Sequence, residues 1–237
     1  MSGSDPRPRR DGLLVCRHPR PLEAEQLRGL RVASPGEIML AAARDLGLLD
    51  LVVLGDAALH LGDCTLADLG RAADRPRRGA SALRRALPYV DRRSESPWES
   101  VLRLLHVLCR VPVDPQHIVF DRGRTLRGDL RIAGTRRLVE YDGLVHRDVP
   151  RHAKDLARAR RLNRLGWERY GYTAPDLLHG GVAILADADA ALGRPHDASR
   201  IRPWHRALAT SMFSPAGLAR VRARWASQQA RQHRARA

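Results

Sequence analysis

One stretch constrains this chain more than any other: Gly128-Asp129-Leu130-Arg131-Ile132-Ala133-Gly134-Thr135-Arg136-Arg137-Leu138-Val139-Glu140-Tyr141-Asp142-Gly143. Gly134-Thr135 reads as a two-residue turn of the Gly-X kind, whose twist suits a β-hairpin. Counting outward from it pairs Ala133 with Arg136, Ile132 with Arg137, Arg131 with Leu138, Leu130 with Val139, and Asp129 with Glu140. Strand residues two apart share a face, so Asp142 joins Glu140 while Val139 and Tyr141 point the other way.

Facing strand residues have Cβ atoms about 5 Å apart, and like charges placed there repel. Three carboxylates on one patch are therefore either open to water or neutralised by a cation. The apolar neighbours Leu130, Ile132, Leu138 and Val139 argue for a buried hairpin and against simple exposure. Hard divalent ions such as Mg²⁺ or Mn²⁺ take oxygen ligands of this type, one or two carboxylates plus a substrate phosphate. Asp129 and Glu140 are thus candidate metal ligands.

The surrounding pattern alternates helix and strand. Ser96-Pro97-Trp98-Glu99 opens a helix carrying Val101, Leu104, Leu105 and Leu108. Glu99 at its third position completes a capping box, and it is also placed to reach a metal beside the hairpin. Strands are expected at His117 to Phe120, Leu126 to Ile132, Arg137 to Tyr141 and Trp167 to Tyr172, with a basic helix from Pro150 to Leu165 stopped by Gly166. His146, one short turn beyond the acids, is a candidate general base or holder of the attacking water; a lone His in an Arg-rich loop is the plainer reading. Lys154, Arg158, Arg161 and Arg147 are candidate nucleic-acid contacts.

Before this region the spacing is helical. Ser34-Pro35-Gly36-Glu37 is a capping box for a helix running to about Leu46, and further helical runs follow through Leu59, Leu69 and Leu87. The expected organisation is a disordered lead (1–12), a helical domain (13–92), an α/β domain (93–181) and a basic helical C-terminal tail (182–237). The tail's last helix begins at Ser214-Pro215, with Leu218, Val221 and Trp225 on one face.

Charge narrows the partner. Lys and Arg number 42 against 26 Asp and Glu, a net charge of +16. Lys154 is the only lysine, as GC-rich codon usage would produce, but codon bias does not explain the excess of basic over acidic residues. That excess favours a polyanion, nucleic acid first. Cys16, Cys64 and Cys109 show no metal-ligand spacing, no run is long enough to span a membrane, and no signal peptide opens the chain, so a cytoplasmic setting is expected.

Taken together, Ser96-Pro97-Trp98-Glu99-Ser100, Asp129, Glu140-Tyr141-Asp142-Gly143 with His146, Asp155 and Arg161, and Gly166-Trp167 resemble a family. It is the actinobacterial domain-of-unknown-function proteins related to very-short-patch-repair (Vsr-like) endonucleases, within the PD-(D/E)XK, restriction-endonuclease-like superfamily. The resemblance covers about Ser94 to Asp176. It implies a mixed sheet of about four strands flanked by helices, Mg²⁺-dependent cleavage of DNA, and a site at Glu99, Asp129 and Glu140, with Asp142 and His146 as further members. One position departs from the wider superfamily: the usual Lys two residues beyond the second acid is Asp142. Residues 32–59 show a weaker similarity to AbiEi-type antitoxin proteins, without room for the winged helix with which those usually begin. Two functions follow: a metal-dependent DNA endonuclease, or a catalytically inactive nuclease-fold module that binds DNA or a toxin–antitoxin partner protein.

Overall fold

The computed structural model describes residues 22–143 and 149–234; the side chains of 149–154 and 233 are not described. The expected lead and the Leu13 to Cys16 run lie outside these residues. The chain divides into two compact units, 1–90 with 209–237, and 91–208.

The first unit opens on a hairpin, β1 (Ala24–Leu27) and β2 (Leu30–Ala33), where the sequence suggested only helices. Its two-residue turn puts Arg28 and Gly29 at φ 49 and 80, as a tight hairpin with the strand twist demands. Then come α1 (Pro35–Ala42), α2 (Leu48–His60), α3 (Leu66–Ala73) and α4 (Ala80–Ala86). Ser34 caps α1 by accepting from the Glu37 amide. The Glu37 side chain does not complete the box; it is buried and pairs with Arg75 and Arg77. Met39, Leu49, Leu51, Leu69 and Leu83 form the core.

The second unit is mixed α/β. α5 (Pro97–Leu108) leads into β3 (Val113–Asp121), β4 (Arg124–Ile132) and β5 (Arg137–Tyr141), followed by α6 (Val149–Arg164) and β6 (Glu168–Tyr172). The sheet order is β3-β4-β5-β6, antiparallel except for the parallel β5–β6 pair. That pair needs a long connection, and α6 supplies it. β3 starts four residues earlier than the sequence suggested; it accommodates Pro115 because it is an edge strand. α6 ends with Gly166 at φ 74, the Trp167 amide on the Leu162 carbonyl and the Gly166 amide on Asn163, the two bonds of a Schellman stop. Leu162 and Leu165 pack with Trp167 on Val119, Leu126 and Leu138.

The expected C-terminal tail is split between the units. α7 (Ala174–His179) lies in the expected α/β stretch, and α8 (Gly181–Ala191) with α9 (Arg202–Ala209) up to Leu208 continues the second unit, where Asp189 holds Arg194, His196 and Arg200. α10 (Pro215–Arg234) belongs to the first, where Val221 is buried, Trp225 donates to Asp45 and Arg224 pairs with the same carboxylate. Among the described residues no helix is long and apolar enough to cross a membrane.

Candidate active site

The hairpin register is the expected one, Leu130 opposite Val139 and Arg131 opposite Leu138. The turn differs. Thr135 N–H donates to the Ile132 carbonyl at 3.1 Å, so Ala133-Gly134 is the central pair, with Gly134 at φ 81. Two more residues before Arg137 leave the register intact, because the loop grows by one on each side.

The ladder does not continue to Asp129 and Glu140. Asp129 instead turns its Oδ2 onto the Tyr141 amide at 2.9 Å, so a side chain takes over a bond that a strand carbonyl would otherwise make. Strict alternation from Leu130 would place Gly128 on the face away from Leu138 and Glu140. Yet a Cβ on Gly128 would lie 3.1 Å from both Leu138 methyls and 3.4 Å from Glu140 Oε1. The strand's facing therefore changes by one residue at Asp129. The neighbouring strand distorts at the same level: Gln116, between the paired residues Pro115 and His117, has φ 54. A non-glycine residue in that region costs roughly 1–2 kcal/mol, and such strain gathers at functional sites.

The cation that neutralises Glu140 and Asp142 is the chain's own arginine. Glu140 is 6% exposed. Arg158 Nη1 donates to its Oε2 at 2.8 Å and Arg158 Nη2 to its Oε1, while Arg169 Nε reaches Oε2. Arg169 Nη2 also donates to Asp142 Oδ1, which puts Glu140 and Asp142 on one side as alternation required. Burial alone would raise the Glu140 carboxyl, but the hydrogen bonds and charges of Arg158 and Arg169 outweigh it and hold it below the usual range. Gly171, beside Glu140 on β6, makes room: a Cβ there would sit 1.8 Å from Asp142 Oδ2.

Asp129 is treated differently. It is half-buried, and Tyr141 N–H is its only hydrogen-bond donor among the described residues. Burial first, then the nearby charges of Glu99 and Glu140, push its carboxyl from 3.8 up to about 6, against the opposing pull of the Tyr141 amide and Arg158. Glu99 thus lies close enough to act on Asp129, but its Oε2 is occupied, accepting from the Glu95 amide at 2.9 Å and from Gln116 Nε2 at 2.8 Å. It caps α5 one residue earlier than the capping box expected. Trp98 stacks on Tyr141 with centroids 5.3 Å apart, tying the start of α5 to β5.

Other candidates divide. Arg158 spends its guanidinium on Glu140 and the Arg127 carbonyl, and Arg161 pairs with Asp121 at 3.2 Å, so neither offers the open phosphate contact expected from sequence. His146 and Arg147 lie outside the described residues; Lys154 is on α6 with its side chain not described. Sequence reasoning missed Arg169, Gln116 and Gly171. The first had a signal, being two residues past Gly166-Trp167 on a strand parallel to β5; the left-handed Gln116 had none.

A metal can be tested against this donor set. Among the described residues no three His, Cys, Asp or Glu converge as a ready cage. Mg²⁺ does not need one: it is held by one or two carboxylates and keeps waters and substrate phosphate in its remaining positions. Asp129 offers an oxygen that no described donor takes, and Glu140 offers one once a guanidinium swings aside. An ion here would have to be held by Asp129 and Glu140, because Glu99 Oε2 is taken by the Glu95 amide and Gln116.

No protein-family model matches the chain, and no solved structure matches it. It is similar to two uncharacterized proteins of Mycobacterium tuberculosis, MT2308 of strain CDC 1551 and Rv2248 of strain H37Rv, each 28% identical over 148 residues. That stretch is 60% of this chain and 55% of each relative, so the chain spans about half the length of the curated relatives it matches.

Proposed function

We propose that the 91–208 unit is a Mg²⁺- or Mn²⁺-dependent DNA endonuclease of the Vsr-like, restriction-endonuclease-like kind. One observation carries the proposal: Asp129, half-buried beside two other acids and pushed up to about 6, has no described cation of its own while Glu140 has two. An acid kept at that cost needs a compensating use, and perturbed carboxylates in a group mark functional sites. The order helix, three antiparallel strands, helix, parallel strand agrees with what the resemblance implies, and the whole chain's net charge of +16 suits a phosphodiester substrate.

When bound, the ion would polarise the phosphate and lower the pKa of an attacking water. The chain's residues do the rest. The Tyr141 amide fixes the Asp129 carboxylate; Arg158 and Arg169 fix Glu140. Arg169 also answers the missing superfamily Lys: with Asp142 in that position, its guanidinium brings positive charge to the same corner by bridging Asp142 and Glu140. Glu99 acts through charge on Asp129 and through Gln116.

The second reading is a nuclease fold without catalysis, binding DNA or a toxin–antitoxin partner. It is favoured by the arginines on both Glu140 oxygens. Cleavage of plasmid and short duplexes by the full chain, in Mg²⁺, Mn²⁺ or chelator, distinguishes the two. The endonuclease reading expects metal-dependent nicking that Asp129→Ala abolishes. Nicking that survives the substitution removes the site; salt-sensitive binding without nicking in any metal leaves the module. A cytoplasmic setting belongs to the same proposal, in keeping with the free thiols Cys64 and Cys109.

A further inference from the structure

A groove separate from the acidic site lies between the β3–β4 turn and the end of α6. It is lined by Asp121, Arg122, Arg124, Arg161, Arg164 and Leu165, with a volume of about 650 Å³. The turn is a tight one: Asp121 pairs with Arg124, and Arg122 and Gly123 take φ 45 and 81. α6 supplies the other wall, Arg161 and Arg164 being three apart and hence on one side of the helix.

The groove gathers unmatched positive charge in one place. Several arginines of this unit are matched by acids: Arg127 by Glu95, Arg131 by Asp114, Arg137 by Glu168, Arg158 by Glu140, Arg161 by Asp121. Arg122, Arg124 and Arg164 are exposed, and among the described residues none makes an ion pair or side-chain hydrogen bond. Three unmatched guanidiniums facing one open groove, with its single acid already spent on Arg161, form a site for an anion of spaced charges. Guanidinium forks match phosphate oxygens in geometry as well as charge.

We infer that this groove binds the phosphodiester backbone of nucleic acid, with Arg122, Arg124 and Arg164 as its contacts, and that it holds the backbone a fixed distance from Asp129. The inference rests on the endonuclease reading for its ligand. Arg124 and Asp129 are five residues apart on β4, about 17 Å of strand. Arg164 is six residues beyond Arg158 on α6, about 9 Å of helix. With about 3.4 Å of axis per nucleotide on one strand, the grooved contacts fall roughly three to five nucleotides from the acidic site. These are backbone contacts, which set register and carry no base preference.

The test is the salt dependence of binding. The full chain, with chelator present to prevent cleavage, is titrated into a labelled duplex of about 20 base pairs between about 50 and 200 mM salt, and a single strand of equal length is run beside it. Each phosphate contact contributes about 0.9 to the slope of log affinity against log salt, so Arg122→Gly/Arg124→Ser/Arg164→Ser is expected to flatten the slope by about 2.7. Over that fourfold salt range the affinity loss then shrinks by about 40-fold. Arg122→Gly alone, which also suits the left-handed backbone, is expected to remove about 0.9 without harm to folding. Arg202→Ser/Arg206→Ser, exposed on α9, is the control. A slope unchanged in the triple variant, or lowered as much per arginine in the control, overturns the groove. If binding and Asp129-dependent cleavage persist in that case, the endonuclease reading stands without it; a parent chain that binds neither nucleic acid removes both.

Discussion

Asp129→Asn is expected to make the protein more stable above about pH 6 and to change nothing near pH 3. The substitution keeps the shape and leaves an oxygen to accept from the Tyr141 amide. It removes the charge. Folding raises the Asp129 carboxyl from 3.8 to about 6. Between those values the folded chain holds a proton that the unfolded chain has released, so this group's contribution is intact below 3.8 and declines as the pH climbs through about 6. A gap of that size corresponds to about 3 kcal/mol, and partial access of water to the carboxylate lowers the expectation to about 2–3 kcal/mol. The assay is urea unfolding of parent and variant from about pH 3.5 to 8, plotted as the difference, which cancels every other titrating group. The difference curve rises from zero in favour of the variant and levels off above about pH 6.5. A flat difference, or a variant less stable at about pH 8, would refute the claim that Asp129 is an acid held at a cost to stability.

Three further outcomes follow from the same contacts. Arg158→Leu leaves Glu140 buried with Arg169 alone and is expected to cost about 3 kcal/mol, whereas Glu140→Leu with Arg158→Leu recovers most of it; a double-mutant cycle in urea checks this, and an additive result contradicts the pairing. Gly171→Ala drives a methyl into Asp142 Oδ2, so Asp142 must leave Arg169, with an expected loss of about 1–3 kcal/mol and a lower melting temperature. Asp189→Asn releases Arg194, His196 and Arg200 from a carboxyl held down to about 2. That depressed carboxyl contributes stability fully above 3.8 and loses it as the pH falls through about 2, so the loss should be about 2 kcal/mol in urea at neutral pH and absent in strong acid.

The sequence carried the element order well where patterns were long. The apolar spacing of α5 and α6, the Gly166 stop and the hairpin register could each be read from residue types alone. The β1–β2 hairpin was hidden, because its strands are short and mostly exposed and lack a buried alternating face. The split of the C-terminal residues was hidden too: Val221 and Trp225 advertise an apolar stripe, but a stripe does not name the surface it covers. At the site, the sharing of one side by Glu140 and Asp142 was legible from strand alternation. The neutralising partners were not, since Arg158 and Arg169 come from α6 and β6, eighteen and twenty-nine residues beyond Glu140. Water and metal are not the only means of neutralising such acids: arginine serves Glu140 and Asp142. The change of facing at Asp129 likewise coincides with the left-handed Gln116 on the neighbouring strand and has no local signature.

The central claim, that Asp129 and Glu140 share one ion when a phosphodiester is present, is tested most directly by counting Mn²⁺ bound to the full chain by electron paramagnetic resonance, with and without an excess of short DNA duplex. One ion per chain is expected in the presence of duplex, lost on Asp129→Asn and weakened on Glu140→Gln. No bound ion, or an ion indifferent to both substitutions, would contradict it.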